Sequence, residues 1–270
     1  MKLLEHIETL QSRDGSSKMV FRLVRNGRPL EVTCPVNGSP KDMQVVPTHT
    51  GCTLGCSFCG LRGSTDSSSL HAGEIVEALD RSYVKRNPVR LISFMGAGEP
   101  LLNIKAVRKV FETYSEARHS VASMVPYSAL NLVNFLHEVR ELNVKFHWSL
   151  HSTRTAVRRE LMPCAAPAQF VLPTLLAWAP ELDVEVHYAL IDSLTDTDED
   201  IENLCRWFGN QPITVKLMQL SPCNPTLRPS LRTAKVLQAL LDGGVTAQGY
   251  CPPGLDIGSS CGMFESSRYC

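Results

Sequence analysis

Three cysteines in the stretch Cys52-Thr-Leu-Gly-Cys56-Ser-Phe-Cys59 constrain this chain more than any other feature. Their C-x3-C-x2-C spacing follows an apolar pair, Val45 and Val46, that reads as a strand. Gly51, Gly55 and Gly60 let a tight loop turn three sulfurs toward one centre. Thiolates at short, fixed spacings are how a loop supplies ligands to an iron–sulfur cluster. Three ligands rather than four leave one iron of a four-iron cluster open to bind something else. Zinc is the alternative. A structural zinc site needs four protein ligands, and His49 is the candidate for the fourth.

A chain of 270 residues is long enough for a proper core, as one large domain or two small ones. No apolar run is long enough to span a membrane, and the N-terminus carries acids where a signal peptide would be apolar. The expected location is the cytoplasm. There, 10 cysteines argue for a metal site with redox chemistry rather than for disulfides. With 27 basic and 27 acidic residues, the composition does not suggest strong nonspecific binding of nucleic acid. The charge is uneven, however. No Lys or Arg lies between Arg159 and Arg206, where acids accumulate from Glu181 to Glu202. The N-terminal part leans basic through Lys18, Arg22, Arg25 and Arg28. Such a strip is compatible with RNA docking on one side; the acidic run reads more simply as a solvated helix face.

Residues 1–12 read as a short amphipathic helix, closed by Asp14-Gly15. Asn26-Gly27 between the β-rich runs Met19–Val24 and Pro29–Thr33 is a strong hairpin signal. Residues 1–43 therefore form a small helix-and-hairpin appendage, and residues 44–270 the main body. From there strands and helices alternate. Strands are predicted at Gln44–Thr48, Val89–Met95, Ser120–Val125, Val144–Leu150, Val184–Ile191 and Ile213–Leu220. Helices are predicted at Gly73–Arg86, Ile104–Ala117, Ala129–Leu142, Pro167–Ala177, Asp198–Phe208 and Leu231–Leu241. Thr197 is the expected N-cap of the Asp198–Phe208 helix. This is an α/β chain with a parallel sheet and right-handed crossovers. A partial (β/α)6 barrel is preferred over an open doubly wound sheet, because chemically promising residues sit at the C-terminal ends of successive strands.

After the second of these strands comes Phe94-Met-Gly96-Ala-Gly98-Glu99-Pro100. Its glycines admit a ligand close to the backbone, and Glu99 can accept from an ammonium group. It is not a dinucleotide fingerprint, which would need Gly or Ala at Leu101. The fourth strand ends Ser149-Leu150-His151, and the sixth ends Ser221-Pro-Cys-Asn224-Pro225, where two prolines fix an amide. Near the C-terminus, Asp256-Ile257 precedes Cys261-Gly262 in a loop of small residues. That cysteine is a candidate nucleophile if its thiol pKa is lowered.

Through Cys52, Cys56 and Cys59 the chain resembles the radical S-adenosylmethionine (SAM) superfamily. Within it, the chain resembles the adenine-C2 RNA methyltransferases of 23S rRNA and tRNA and their C8-methylating relatives. The resemblance runs from about Lys18 to Phe264 and rests on Met95–Asn103, Ser149–His151 with Arg159-Glu-Leu-Met-Pro163, Ser221–Pro225, and Asp256-Ile257 before Cys261. It implies a [4Fe–4S] cluster on the three thiolates, with its open iron chelating the amino and carboxylate groups of SAM. Gly98 and Glu99 would hold the SAM amino group. Ser149, Leu150, His151 and Asn224 would line the rest of SAM, and Ser123 is the nearest match to a serine the family uses after its third strand.

The same resemblance implies that Cys261 takes a methyl group from one SAM. A 5′-deoxyadenosyl radical from a second SAM then removes hydrogen from that methyl group, and the carbon adds to an sp² ring carbon of adenine. Glu31 matches the family's base, which removes the ring proton. An electron donor such as flavodoxin or ferredoxin is implied as well.

Two features depart from the family pattern. The family's second catalytic cysteine lies seven residues before the first cluster cysteine, where this chain has Val45. Either another thiol substitutes, for which Cys34, Cys223 and Cys270 are the candidates, or the reaction ends differently. Full-length relatives carry an additional N-terminal helical domain that helps grip RNA; this sequence begins almost at the hairpin, so that grip is expected to be missing or to come from elsewhere. Alternatives are the same chemistry on a small molecule or peptide, or a non-catalytic relative that retains only the fold.

Overall fold

The computed structural model describes residues 2–36, 41–220, 223–259 and 263. Among these described residues, ten strands form one sheet whose spatial order is their order in the sequence. β1 (Leu4–Gln11), β2 (Ser17–Leu23), β3 (Pro29–Cys34) and β4 (Lys41–Val46) pair antiparallel in succession. From β4 onward every neighbour is parallel: β5 (Val89–Phe94), β6 (Arg118–Ser123), β7 (Val144–Ser149), β8 (Asp183–Leu190), β9 (Thr214–Gln219) and β10 (Ala247–Tyr250). Among the described residues no ladder joins β1 to β10, so the barrel is partial.

The connections carry α1 (Ala72–Ser82), α2 (Ile104–Thr113), α3 (Ala129–Val139), α4 (Thr155–Leu161), α5 (Ala168–Trp178), α6 (Asp198–Phe208) and α7 (Thr233–Asp242). Alternation along each strand divides the residues between two sides. Val46, Phe94, Val121, Phe146, Trp148, Val186, Tyr188 and Leu217 belong to the main core with the helices. The alternate residues, among them Val45, Ser120, His147, His187 and Lys216, line a chamber of about 310 Å³. Its walls draw on every strand from β3 to β10, so the sheet wraps around it.

Three expectations are corrected. Residues 1–12 are not a helix. Leu4–Gln11 is a strand whose pairing with β2 is interrupted by a bulge at Ile7. The helical spacing of Leu3, Leu4, Ile7 and Leu10 loses to tertiary pairing, because the β2 edge would otherwise present unpaired backbone. Glu77 of α1 accepts from the amides of Leu3 and Leu4, at 2.8 and 3.2 Å, and fixes the start of the strand. A further parallel strand, β10, extends the six predicted ones; it is short and contains Gly249, so its sequence signal is weak. The basic strip is not a free cationic surface: Lys18 is fully buried, and Arg25 and Arg28 pair with Glu74 and Asp66.

The predicted run Ser120–Val125 stops at Ser123 because Val125 turns to a φ of 55°, which a β-branched residue adopts only under constraint. The α6 prediction matches its observed span, and the hydroxyl of Thr197 accepts from the amide of Asp200 as an N-cap should.

Candidate active site

The cysteine loop leaves β4 at the C-terminal end of the parallel sheet and is held there by bonds to three other segments. The amide of Ser57 donates to the Leu161 carbonyl at 2.8 Å, and the Asn224 side-chain amide donates to the Ser57 carbonyl at 2.7 Å. The amides of Leu54 and Gly98 donate to the Cys52 sulfur, and that of Leu61 reaches the Cys59 sulfur at 3.5 Å. Leu54, Cys52, Cys56 and Phe58 pack with Met124, Leu161, Met162 and Leu220 in an apolar cluster separate from the main core. Burial raises the Cys52 thiol pKa, so bare thiolates are disfavoured in this setting and gain from binding a cation.

Gly98 must be glycine on two counts. Its φ is 94°, and a Cβ there would meet the His49 ring at 2.4 Å. His49 is thus wedged under the Gly96–Glu99 turn, with its Nδ1 on the Thr48 hydroxyl at 2.9 Å. One step along, the Glu99 carboxylate is fully buried and accepts from the amides of Leu101, at 3.1 Å, and Met124, at 3.2 Å. Burial dominates these bonds and the bond from the Ser123 hydroxyl, and pushes the acid up to about 7. A buried carboxylate so poised gains strongly from a cationic ligand.

At the C-terminal end of β7 and just beyond it, Ser149 and His151 face the chamber, whereas Leu150 is buried in the main core and can offer the site only its backbone. His151 adopts a φ of 54°; its Nδ1 accepts from the Ala189 amide at 3.0 Å, and its ring meets Phe58 edge-on at 4.9 Å. Burial holds it neutral, with a pKa near about 3.

Across the chamber, Glu31 on β3 is ion-paired at 3.1 Å with Lys18 on β2, whose side chain is completely buried. Val45 lines the same chamber, close to Glu31 in the wall, through the Thr33–Val45 pair of β3 and β4. Cys34 lies in a different recess, with its thiol on the Ser82 carbonyl and pushed up to about 11 by burial, so it does not share the chamber with Val45. Cys261 and Cys270 lie outside the described residues. Ser259 and Met263, on either side of Cys261 in the sequence, line the chamber. The segment leading to them is anchored by Asp256, whose carboxylate accepts from the Arg13 amide at 3.2 Å.

A family described as "Radical SAM superfamily" matches residues 46–208. The dual-specificity RNA methyltransferase RlmN of Alkalilimnicola ehrlichii is 30% identical over 97% of this chain and 77% of its own length. The chain belongs to the radical SAM superfamily and to its RlmN family. RlmN of Syntrophobacter fumaroxidans is likewise 30% identical, over 94% of this chain and 77% of its own length. The crystal structure of a radical SAM methyltransferase from Sphaerobacter thermophilus superposes with a TM-score of 0.85 at 26% identity, covering 98% of this chain and 82% of that one.

Members of the superfamily use a [4Fe–4S] cluster and SAM. The donor set here fits the cluster better than it fits zinc. Among the described residues, one set of three potential ligand atoms lies mutually within 4.8 Å, and it is His147, Glu185 and His187 rather than the cysteines. Zn–S bonds of about 2.3 Å in a tetrahedron bring sulfurs to within roughly 4 Å of one another, whereas a four-iron cluster takes each sulfur on a separate iron and spreads them. The Ser57 hydroxyl, between Cys56 and Phe58, is buried with no hydrogen-bond partner among the described residues, which suits a polar atom that serves a bound group.

Sequence reasoning missed Arg158, Lys18 and the His147–Glu185–His187 set. Arg158 sits one residue before the motif Arg159–Pro163, and nothing marks it in the sequence. Its buried guanidinium donates to the carbonyls of Ser149 and Met124, each at 3.0 Å, of Ala166 at 3.4 Å, and of Leu150. It therefore ties the ends of β6 and β7 to α4 beneath the cysteine loop. Burial lowers its pKa to about 9, which leaves it cationic at neutral pH.

Proposed function

We propose that this chain is a radical SAM methyltransferase that modifies a base in RNA, with Cys52, Cys56 and Cys59 holding the cluster and Cys261 carrying the methyl group. The observation that supports it most is one chamber shared by the acid Glu31 and by Gly96, Ser149 and His151 at the strand ends, with Ser259 and Met263 in its wall. Bound at the loop, the cluster and SAM supply the radical that activates a methyl group for addition to an electron-poor ring carbon. The protein's own groups do the rest. Glu99 and the Gly96–Gly98 backbone orient the amino group of SAM, with Ser123 bracing Glu99, while Ser149, the Leu150 backbone and His151 flank its length. Asn224 holds the cysteine loop from the opposite side. Glu31 takes the ring proton, and Lys18 keeps the carboxylate aimed into the chamber. RNA as the substrate class is supported by the RNA methyltransferase relatives, and reductive cleavage of SAM calls for a one-electron donor such as flavodoxin or ferredoxin.

Mass spectrometry of the protein, reconstituted anaerobically and incubated with SAM and a strong one-electron reductant, tests this reading. A methyl group on Cys261 is the expected result; an unmodified Cys261 together with no release of 5′-deoxyadenosine would overturn it.

Glu99 gives a second test. An ammonium group against it favours the ionised form, so binding SAM releases a proton below pH 7. Because the free acid titrates near about 7, affinity for SAM is expected to fall roughly fivefold between pH 7 and pH 6. Glu99→Gln should weaken binding about tenfold or more and abolish that pH dependence. Equilibrium dialysis with labelled SAM reads both, and a Glu99→Gln protein with parental affinity would remove Glu99 from the SAM site.

A further inference from the structure

Barrel interiors are normally filled by layers of branched apolar side chains. Here three adjacent strands put a polar cluster there instead. Glu185 of β8 is buried between two histidines, with its Oε1 at 3.0 Å from His147 Nδ1 on β7 and 3.0 Å from His187 Nε2 on its own strand. Lys216 of β9 reaches the same oxygen at 2.9 Å. Lys145 and Gln248 approach the other oxygen at 3.1 and 3.5 Å. Burial alone would raise the Glu185 pKa, but the hydrogen bonds from the two histidines and the charge of Lys216 overcome it and hold the group ionised. An ionised carboxylate only accepts hydrogen bonds. His147 therefore carries its proton on Nδ1, and His187 carries its proton on Nε2. Burial keeps both rings neutral, with His147 down near about 3.

The tautomers fix what the rings offer on their other side. His147 Nε2 and His187 Nδ1 are left with lone pairs and no partner among the described residues, and both rings line the chamber. Their centroids are 4.6 Å apart with planes inclined at 45°. Two neighbouring acceptors suit a group with two N–H donors and repel a carbonyl oxygen. We infer that His147 and His187, locked as acceptors by Glu185, read an exocyclic amino group on the substrate base and reject a keto group in its place. This rests on the reading of the chain as a base methyltransferase. A divalent cation on the same nitrogens is the competing occupant, since metal-bound histidines also donate their other N–H to a carboxylate. The ammonium of Lys216, 2.9 Å from the shared oxygen, argues against adding a dication there.

The test uses the reconstituted protein and three nucleosides: adenosine, purine riboside, which lacks the amino group, and inosine, which replaces it with a keto group. Adenosine should bind at least about tenfold more tightly than purine riboside, with inosine weakest. His187→Phe, which keeps a ring of similar bulk, should bring adenosine and purine riboside to within about twofold of each other. Nitrogen-15 NMR of the unmutated protein supplies a readout that does not depend on the variant folding. It should show pyridine-type Nε2 in His147 and Nδ1 in His187, both shifting with adenosine and neither with purine riboside. Equal binding of the three nucleosides, the opposite tautomers, or zinc ions taking both nitrogens in place of adenosine would overturn the inference. Amino-group preference without methylation of Cys261 would instead overturn the methyltransferase reading and leave this site standing.

Discussion

Cys56→Ala is expected to abolish both the iron–sulfur absorbance of the reconstituted protein and its cleavage of SAM, while leaving the fold intact. A loop that supplies three thiolates has none to spare. Replacing even an outer partner of a metal ligand costs about ten- to a hundredfold, so loss of a ligand itself should leave under about 1% of the parental SAM cleavage. The fold should survive because the loop packs in the small cluster of Leu54, Met124, Leu161 and Leu220, apart from the main core. Cys56 is also only partly buried, so truncating its side chain removes little packing. Circular dichroism should therefore match the parent when iron content falls. Parental iron content and SAM cleavage in the variant would show that Cys56 is not a cluster ligand.

The sequence carried the loop, the βα alternation and most element spans because each is a local signal. Cysteine spacing, the Asn26-Gly27 turn and the Thr197 cap announce themselves within a few residues. What escaped was decided across the sheet. The apolar residues of 1–12 repeat with a helical period, and only the exposed edge of β2 makes them a strand. Lys18 and Arg25 count as surface cations in a sequence, yet one is buried against Glu31 and the other is spent on Glu74. His147, Glu185 and His187 come from two strands separated by α4 and α5, and each alone reads as an unremarkable polar residue in a β-rich run. Their meeting requires the β7–β8 register, in which Trp148 lies opposite Val186 and Ser149 opposite His187. Cys261 was legible only as a cysteine in a small-residue loop and through the family resemblance.

Arg158→Met should be the most destabilising single change near the site. The substitution keeps an unbranched chain over the Trp148 ring, where the guanidinium now lies 5.5 Å from the centroid, but removes every donor. The carbonyls of Met124, Ser149, Leu150 and Ala166 would then be left without this partner in a place where water has little access. A buried acceptor stripped of its bond costs about 1–3 kcal/mol, and partial relaxation brings the expected total to roughly 3–5 kcal/mol. For a domain of this size that corresponds to a melting temperature lower by about 10 °C. Arg158→Lys should recover only a minor part, because one ammonium group cannot reach carbonyls on three segments that the planar guanidinium spans at once. The loss should extend to function, since the same carbonyls position Ser149 and the Met124 amide that donates to Glu99. SAM affinity, measured well below the melting transition, should therefore fall in Arg158→Met even among molecules that remain folded. A melting temperature within about 2 °C of the parent would mean that the four carbonyls find other donors, and that Arg158 does not organise the strand ends.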